Sequence, residues 1–231
     1  MGLLRSPLVR RMRPGVGVTL DSIEPFRAAW AASNAAALER SGPLWLVLGD
    51  STAQGIGAPA WDRGYVGQLL ALLETRDGRP WRVLNASRTG ARLRDVVADQ
   101  LGYLDTLPSP PELVTCAAGA NDLAWRPGLR RTLRALAGLV NRLPVGSVIA
   151  TLPHGFGERR TTVINEAIRA EAPTRGLLVA DVWGHTGPPW AGQLAADHFH
   201  PSERGYQGWA AAFAEALGLL ETGSGSREGH A

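Results

Sequence analysis

The chain of 231 residues contains no lysine and a single cysteine, Cys116. Its basic residues are therefore all arginines, and the formal net charge is only +3, so the chain carries no large positive field of the kind that attracts nucleic acid. One cysteine excludes an internal disulfide and a cysteine-rich zinc site. Because Cys116 lies in an apolar run, we expect a buried core thiol, which fits a reducing compartment.

Long apolar runs are also missing from the sequence. The N-terminal residues MGLLRSPLVRRMRPG lack the stretch of about 7 to 15 apolar residues that a secretory signal needs, and no window approaches the roughly 18 apolar residues of a membrane span. We therefore expect a cytoplasmic protein with no nucleic-acid partner and no stable membrane insertion, of an oligomeric state that the sequence leaves open. The arginines of this first run are most simply solvated terminal charges: Arg5, Arg10, Arg11 and Arg13.

What the chain does contain is the composition of a soluble globular protein. Hydrophobic residues make up 45% of the chain and charged residues 19%. The length fits one domain. We predict a basic N-terminal segment with a docking helix over residues 1–43, a single domain over residues 44–220, and a flexible polar tail, ETGSGSREGHA, over residues 221–231.

The predicted docking helix has a recognisable start and an apolar face. Asp21 and Ser22 are residue types that cap helices, and they precede a segment of helical spacing over about residues 23–40. Apolar side chains recur on one face of this segment: Ile23, Phe26, Trp30 and Ala37.

Short apolar runs alternate with segments of helical spacing along the rest of the chain. The first, LWLVLGD, is continuously apolar and ends in turn residues, which is typical of a strand buried on both faces. The predicted strands are residues 44–50, 81–85, 113–117, 147–152 and 177–182, and the predicted helices are residues 65–73, 93–104, 129–143, 161–170 and 207–219. Such alternation predicts an α/β fold with a parallel sheet of about five strands, covered on both faces. Ligands bind outside the carboxyl ends of such strands, so we expect the chemistry just after each strand.

The first predicted strand runs into the turn GDSTAQGIGA, residues 49–58, which contains Ser51. A serine at a strand-to-helix turn can expose its hydroxyl and direct its backbone N–H at a ligand, as a nucleophile requires. The turn alone also fits a simpler structure, in which Ser51 or Thr52 caps the next helix and Gly55 and Gly57 supply turn geometry. A nucleophilic serine additionally needs a base.

A candidate base lies near the C-terminus, in DHFHP at residues 197–201. A serine hydroxyl is usually activated by a histidine that a carboxylate orients. Asp197 can accept a hydrogen bond from one ring nitrogen of His200 while the other nitrogen faces Ser51. His198 is the rival base, but Asp197 would hardly orient its immediate neighbour in the same way. Two histidines near an aspartate also suggest a metal, but no cysteine or further compact set of ligands accompanies them, so we predict no metal site.

Acyl transfer also needs hydrogen-bond donors for the oxyanion, and two further strand ends offer them. After the second predicted strand, in NASRTGARLRDV, Gly90 has no side chain and can bring its backbone N–H close to a reacting oxygen. After the third, in AAGANDL, Asn121 can aim its side-chain amide at the same oxygen. Each residue alone also fits a turn glycine or a capping asparagine, and only their joint order favours a site.

Together these blocks resemble the SGNH, or GDSL-type, hydrolases. GDS contains Ser51, the TG pair contains Gly90, GAND contains Asn121, and DHFH contains Asp197 and His200, all in the family's order. The resemblance spans residues 44–219 and places each block after a predicted strand. The sequence has GDST in place of the longer GDSL, and it departs from the commonest family wording around Gly90, which affects the subfamily more than the chemistry.

The resemblance implies a three-layer α/β/α sandwich of flavodoxin-like type and a serine esterase that hydrolyses small-molecule carboxylic esters through an acyl-enzyme on Ser51. It implies that His200 is the general base and that Asp197 steadies the imidazolium. The oxyanion hole would consist of the backbone N–H groups of Ser51 and Gly90 and the side chain of Asn121. No metal and no organic cofactor is implied. The G-x-S-x-G elbow of the α/β-hydrolases is absent, because Ala stands two residues after the serine.

Two other functions would use the same residues or the same loop. An acyltransferase would form the same acyl-enzyme and pass the acyl group to an alcohol in place of water, and these residues do not separate the two. A noncatalytic flavodoxin-like module would bind a phosphate in the Gly-rich loop at residues 49–57. That function leaves Asn121, Asp197 and His200 without a role.

A few more side chains follow predicted strands and are candidates for substrate contact. Arg88 and Arg92 could meet an anionic leaving group, although solvated arginines are commoner, and for His154 and His185 we expect structural hydrogen bonds. Four tryptophans could line an acyl pocket, although packing is their commoner role: Trp61, Trp125, Trp183 and Trp190.

Overall fold

A computed structural model describes residues 14–124, 128–155 and 157–220 of the chain. The first arginine run, the polar tail at residues 221–231 and Trp125 lie outside these residues. All four sequence blocks lie within them.

The predicted strands are present and form one parallel sheet. They are β1 (Leu44–Gly49), β2 (Arg82–Asn85), β3 (Leu113–Ala117), β4 (Val148–Ala150) and β5 (Leu178–Ala180). Their order across the sheet is β2-β1-β3-β4-β5, and every neighbouring pair is parallel. The chain changes its winding direction between β1 and β3, which is where open α/β sheets bind ligands. The predicted α/β fold is therefore confirmed.

Helices lie against both faces of this sheet. The longer ones are α1 (Pro14–Glu39), α2 (Tyr65–Asp77), α3 (Leu129–Arg142), α4 (Glu158–Thr174) and α5 (Glu203–Ala216). Shorter helical segments are Trp61–Arg63, Leu93–Asp95, Val96–Gln100, Tyr103–Thr106, Ala120–Ala124 and Val182–His185. No helix in the described part of the chain has both the length and the apolar character needed to cross a membrane.

The side chains of β1 divide the core into two layers, because successive residues of a strand point to opposite faces. Trp45 and Val47 belong to an apolar cluster that includes residues of α2 and α5. Leu46 and Leu48 belong to a second cluster that includes residues of α3 and α4. This helix, sheet and helix arrangement is the three-layer sandwich that the resemblance implied.

The continuous helix predicted over residues 93–104 is wrong, because the chain there forms a short helix, a π-helical turn at Val96–Gln100 and another short helix. In the π-helical turn, the buried side chain of Gln100 contacts the backbone of Gly49. Gly49 N donates to Gln100 Oε1 and Gln100 Nε2 donates to Gly49 O, both at 2.8 Å. Insertions of this kind often occur near functional sites, and this one supports the end of β1.

Helix α1 begins earlier than predicted, so Asp21 and Ser22 lie inside it. The Ser22 hydroxyl donates to Thr19 O at 2.8 Å, and a hydroxyl satisfied within the helix does not have to start one. The predicted apolar face of α1 is buried, with its residues at most 9% exposed: Ile23, Phe26, Trp30 and Ala37.

Candidate active site

The turn after β1 places Ser51 at the carboxyl edge of the sheet. The residue that opens this turn, Gly49, has φ +155°. A Cβ at this position would lie 2.4 Å from Ala117 O at the end of β3, which no side chain can tolerate. Glycine therefore lets the two central strands approach while the chain turns toward Ser51.

This turn does not lead directly into an α-helix. The next helical segment is the short 3₁₀ helix Trp61–Arg63, and α2 begins only at Tyr65. Ser51 and Thr52 therefore cap no helix, so the helix-cap interpretation is wrong. For the same reason the loop presents no helix N-terminus that could hold a phosphate.

Three side chains from two distant segments form a continuous hydrogen-bonded chain. His200 Nε2 lies 3.0 Å from Ser51 Oγ, and His200 Nδ1 lies 2.7 Å from Asp197 Oδ2. An ionised carboxylate only accepts hydrogen bonds, so Asp197 favours the tautomer with the proton on Nδ1 and leaves Nε2 to accept from the serine hydroxyl. The structure thus brings together the three residues that the sequence singled out.

Asp197 is held as an anion by its surroundings. The backbone N–H groups of Phe199 and His200 donate to Asp197 Oδ1, both at 3.0 Å. Burial by itself would raise the pKa of the Asp197 carboxyl, but the hydrogen bonds and the charge of His200, together with these N–H groups, outweigh burial and lower the pKa. Asp197 is therefore ionised at neutral pH.

The lowered pKa of Asp197 leads to a prediction about how stability depends on pH. The Asp197 carboxylate stabilises the fold at pH values above its unfolded-state pKa, about 3.9, and this contribution is lost as the pH falls through the lower folded-state pKa. We expect Asp197→Asn to melt earlier than the wild type near neutral pH, and the gap between them to shrink as the pH falls below the unfolded-state pKa of about 3.9. Thermal melts across this range, with the exposed Asp62→Asn as control, measure the gap. A gap that stays constant with pH would contradict the prediction.

Gly90 lies between Arg88, which binds the end of β1, and Ala91, which binds Asn121. On one side, Arg88 N donates to Gly49 O at 3.2 Å. On the other side, Ala91 O accepts a hydrogen bond from Asn121 Nδ2 at 3.0 Å. Gly90 itself has φ +81°, a left-handed conformation that favours glycine. The segment that contains Gly90 therefore lies beside both other candidate oxyanion donors.

Two backbone donors at this site have no protein acceptor. In the part of the chain that the structure describes, neither the N–H of Ser51 nor the N–H of Gly90 donates a hydrogen bond to another protein group. Such groups are satisfied by water or by a ligand. They are the same two N–H groups that the family resemblance assigns to an oxyanion hole.

Asp50, which the sequence analysis did not single out, is the second partner of Asn121. Asn121 Nδ2 donates to Asp50 Oδ2 at 3.3 Å, while Thr52 donates to Asp50 Oδ1 from its N–H at 3.0 Å and its hydroxyl at 2.9 Å. Burial raises the pKa of Asp50, against the opposing effect of the hydrogen bonds from Thr52. The contact to Asn121 is long for an N–H···O bond and therefore weak, so this amide hydrogen is available to a ligand oxygen.

His198, the rival base, is exposed and does not line the cleft beside Ser51. Its φ of +55° makes it the one non-glycine residue with positive φ in the described ranges. The turn at His198 lets the Asp197 carboxylate reach the two N–H groups that follow. The side chain of His200, and not that of His198, consequently meets Ser51.

A cleft with mainly apolar walls opens beside Ser51 and His200. It holds about 590 Å³ of empty space, including the part that is open to solvent. Trp190, one of the four tryptophans considered above, lines it and is 38% exposed. Trp209 also lines the cleft and is buried. The sequence analysis did not single it out, because a tryptophan in a predicted helix indicates packing and nothing more. Further lining residues are Pro153, Leu194 and Phe199.

Two other tryptophans pack against aromatic neighbours. Trp61 lies edge-on to Trp30 of α1, with ring centroids 4.6 Å apart. Trp183 stacks on His154, with ring centroids 3.5 Å apart. His154 lines the cleft, and among the described residues its side chain stacks on this ring and does not make the hydrogen bond that we expected.

His185 and Cys116 have the structural roles that the sequence predicted. His185 Nδ1 lies 3.1 Å from Asp181 O, and its Nε2 lies 3.0 Å from a carboxylate oxygen of Glu215. Cys116 is a free, buried thiol, and burial raises its pKa.

Arg88 and Arg92 are both paired with carboxylates of their own segment. Arg88 Nη2 lies 2.8 Å from Asp99 Oδ2, and Arg92 Nε lies 3.6 Å from Asp95 Oδ2. Neither arginine lines the cleft.

A family model described as the GDSL-like Lipase/Acylhydrolase family matches residues 47–207, which is more than half of the chain. The chain belongs to this family. The matched region contains all four sequence blocks, whereas helix α1 lies outside it.

A sequence relative and several solved structures resemble this GDSL-family chain. The GDSL-like esterase Rv1075c of Mycobacterium tuberculosis (strain ATCC 25618 / H37Rv) is 28% identical over 136 residues, which cover 58% of this chain and 43% of that protein. The chain therefore spans less than half the length of that relative. The crystal structure of LAE5, an alpha/beta hydrolase enzyme from the metagenome of Lake Arreo, Spain, is 26% identical with a TM-score of 0.61, over 79% of this chain and 98% of that chain.

Two further crystal structures share the fold at lower identity. TesA is 23% identical with a TM-score of 0.64, over 77% of this chain and 99% of that chain. Axe2, an acetylxylan esterase from Geobacillus stearothermophilus, is 24% identical with a TM-score of 0.62, over 79% of this chain and 98% of that chain.

Proposed function

We propose that this GDSL-family chain is a serine esterase that hydrolyses small-molecule carboxylic esters through an acyl-enzyme on Ser51. One observation carries the proposal: Asp197, His200 and Ser51 are joined by contacts of 2.7 Å and 3.0 Å, and His200 and Ser51 lie in the wall of a mainly apolar cleft. A serine hydroxyl is a weak nucleophile by itself, and this arrangement supplies both its base and the carboxylate that orients the base.

The proposed reaction has two halves. Ser51 Oγ attacks the ester carbonyl carbon while its proton passes to His200 Nε2, and the negative charge of Asp197 stabilises the imidazolium that forms. The tetrahedral intermediate then collapses, the bond to the alcohol oxygen breaks, and that oxygen takes the proton from Nε2. A water molecule repeats the sequence on the acyl-enzyme, releasing the acid and restoring the Ser51 hydroxyl.

The negative oxygen of the intermediate would be bound by the N–H groups of Ser51 and Gly90 and by the amide of Asn121. Preorganised donors of this kind stabilise charge that develops only in the transition state. Asn121 Nδ2 donates one hydrogen bond to Ala91 O at 3.0 Å and a longer one, at 3.3 Å, to Asp50. The hydrogen of the longer contact would instead form a hydrogen bond with the oxyanion.

We expect Asn121→Ala to lower kcat by about 10² to 10³, roughly 2.7 to 4 kcal/mol, and to change KM much less. The reason is that the amide binds the oxyanion more strongly than the ground-state carbonyl. Kinetics and the thermal midpoint should be measured on the same preparation. A variant that melts early yet turns over normally per folded molecule would show that Asn121 is only structural.

A second prediction concerns Gly57, which packs directly behind His200. Its φ is +101°, and a Cβ there would lie 2.8 Å from His200 Cβ and 2.4 Å from Pro201 O. Gly57→Ala therefore forces a shift where this turn meets His200 and Pro201, and we expect kcat to fall by about 10², the cost of a displacement of roughly 1 Å in a catalytic group.

The matched control for Gly57 is Gly138→Ala in α3. A Cβ at Gly138 would meet no atom within 4 Å, so kcat should stay at the wild-type value. Equal kcat for Gly57→Ala and Gly138→Ala, measured per folded molecule, would contradict the proposed position of His200.

The test of the function itself is a series of nitrophenyl esters of increasing acyl length, assayed with the wild type and with an acceptor alcohol present or absent. Release of free acid in both conditions is the expected result. A new ester as the main product would identify an acyltransferase that uses the same acyl-enzyme. Absence of turnover across the series, from a folded preparation, would contradict the esterase proposal.

A further inference from the structure

The turn that contains Ser51 and the loop that contains Gly90 carry two of the three proposed oxyanion donors, and the side chain of Gln54, which is 4% exposed, joins them. Gln54 belongs to the same turn as Ser51, but its side chain crosses to the next loop. Gln54 Nε2 donates to Ser87 O at 3.2 Å. Gln54 Oε1 accepts from the N–H of Thr89 at 3.0 Å and also from the Thr89 hydroxyl. Both ends of the amide therefore bind the segment that directly precedes Gly90.

These contacts hold Thr89, the residue that directly precedes Gly90. The N–H of Gly90 belongs to the peptide unit that joins Thr89 to Gly90, so a shift of Thr89 turns it. An oxyanion donor must come within about 2.7 to 3.1 Å of the charged oxygen, and displacements of roughly 1 Å at a catalytic centre are costly. Gln54 is thus placed to set the distance between this donor and the turn that contains Ser51.

Helix α1 in turn holds Gln54 and its surroundings. The buried indole N–H of Trp30 donates to Gln54 O at 3.1 Å. The side chain of Asn34 binds the backbone of Asn85 at both N and O, at 2.8 Å and 2.9 Å, beside the end of β2. Asn85 Nδ2 then donates to Ala53 O at 2.8 Å. The helix therefore contacts the Ser51 turn directly through Trp30 and indirectly through Asn85.

We propose that Gln54 is a positioning residue of the oxyanion hole and that helix α1, outside the matched family region 47–207, supports the active site because Trp30 holds Gln54. The proposal rests on the proposed function, since it assigns the N–H of Gly90 to the oxyanion. Gln54 itself touches no reacting atom. Its expected signature is a loss of transition-state binding without a loss of substrate binding.

The test is Gln54→Met, which keeps the length of the side chain and removes its hydrogen bonds. Per active site counted with a fluorophosphonate label, we expect kcat to fall by about 10-fold to 100-fold with KM little changed. The inhibition constant of a trifluoromethyl ketone should rise by the same factor, because its tetrahedral adduct with Ser51 carries the oxyanion. Gln54→Glu keeps an acceptor for the Thr89 N–H and should recover part of the loss.

Matched controls separate positioning from general stability. Gln68 is another glutamine whose side-chain amide binds the backbone: its Nε2 donates to Arg63 O and Glu203 O, both at 3.0 Å. Gln68→Met should therefore lower only the thermal midpoint. Trp30→Phe removes one N–H and should lower kcat and ketone affinity severalfold, whereas Trp45→Phe, which removes a buried N–H bond inside the sheet core, should not.

Parallel losses of kcat and ketone affinity in Gln54→Met, absent from Gln68→Met, support the proposal. A Gln54→Met enzyme that melts early but turns over like the wild type per labelled site overturns it, and so does a loss of kcat with unchanged ketone affinity. If Gln54→Met does not fold, the pair Trp30→Phe and Trp45→Phe decides, and equal kinetics in these two overturn the proposal. A wild type that neither hydrolyses esters nor takes the label contradicts the proposed function instead.

Discussion

Replacing Ser51 with alanine is expected to lower kcat by about 10⁶, the loss known for removal of a catalytic serine from another serine hydrolase. The hydroxyl that lies 3.0 Å from His200 Nε2 is the atom that would carry the acyl group, and alanine has no atom to replace it. The fold should tolerate the change, because Ala removes one oxygen and leaves the turn that Gly49 opens. Hydrolysis of a nitrophenyl ester and labelling by a fluorophosphonate measure the effect.

A buried serine at the amino ends of the strands, opposite the candidate site, provides the control. Ser147 is 2% exposed and lies just before β4, at the amino end of the strands. Ser147→Ala should keep both the label and the activity, whereas Ser51→Ala should lose both. Label that persists on another serine in Ser51→Ala would mean that a different residue is acylated.

Replacing His200 with alanine is expected to cost about as much as replacing Ser51, again on the order of 10⁶ in kcat. The serine and the histidine act as one unit, since the hydroxyl transfers its proton to Nε2 while it attacks. Without the imidazole, neither proton transfer of the cycle has a partner, and the oxyanion donors alone remain. The measurement is kcat per folded molecule, compared with the wild type at the same pH.

His198→Ala is the matched control, because it removes an imidazole two positions away in the same turn. The side chain of His198 is exposed and does not line the cleft, so this variant should keep most of its activity. Its φ of +55° makes His198→Gly a second control that should also fold. If His198→Ala were inactive and His200→Ala active, the wrong histidine would have been assigned as the base.

Local patterns in the sequence were sufficient for the fold and for most of the candidate site. Continuous apolar runs predicted buried parallel strands, and the strand at Leu113–Ala117 has the predicted bounds. Because the carboxyl ends of parallel strands lie at one edge of a sheet, blocks that each follow a strand had to come close together. For this reason Ser51, Gly90 and Asn121 could be placed at one site before any contact was known.

Only the tertiary structure decided what holds the groups of that site in place. The sequence favoured His200 over His198 as the partner of Asp197, and the structure gives the reason: the turn at His198 directs His200 to Ser51. The links from Gln54 to the loop before Gly90, and from Trp30 to Gln54, join residues of different segments and follow from no spacing rule. Strands and helices have periodic local signals, whereas a side-chain hydrogen bond between distant loops depends on how the whole chain packs.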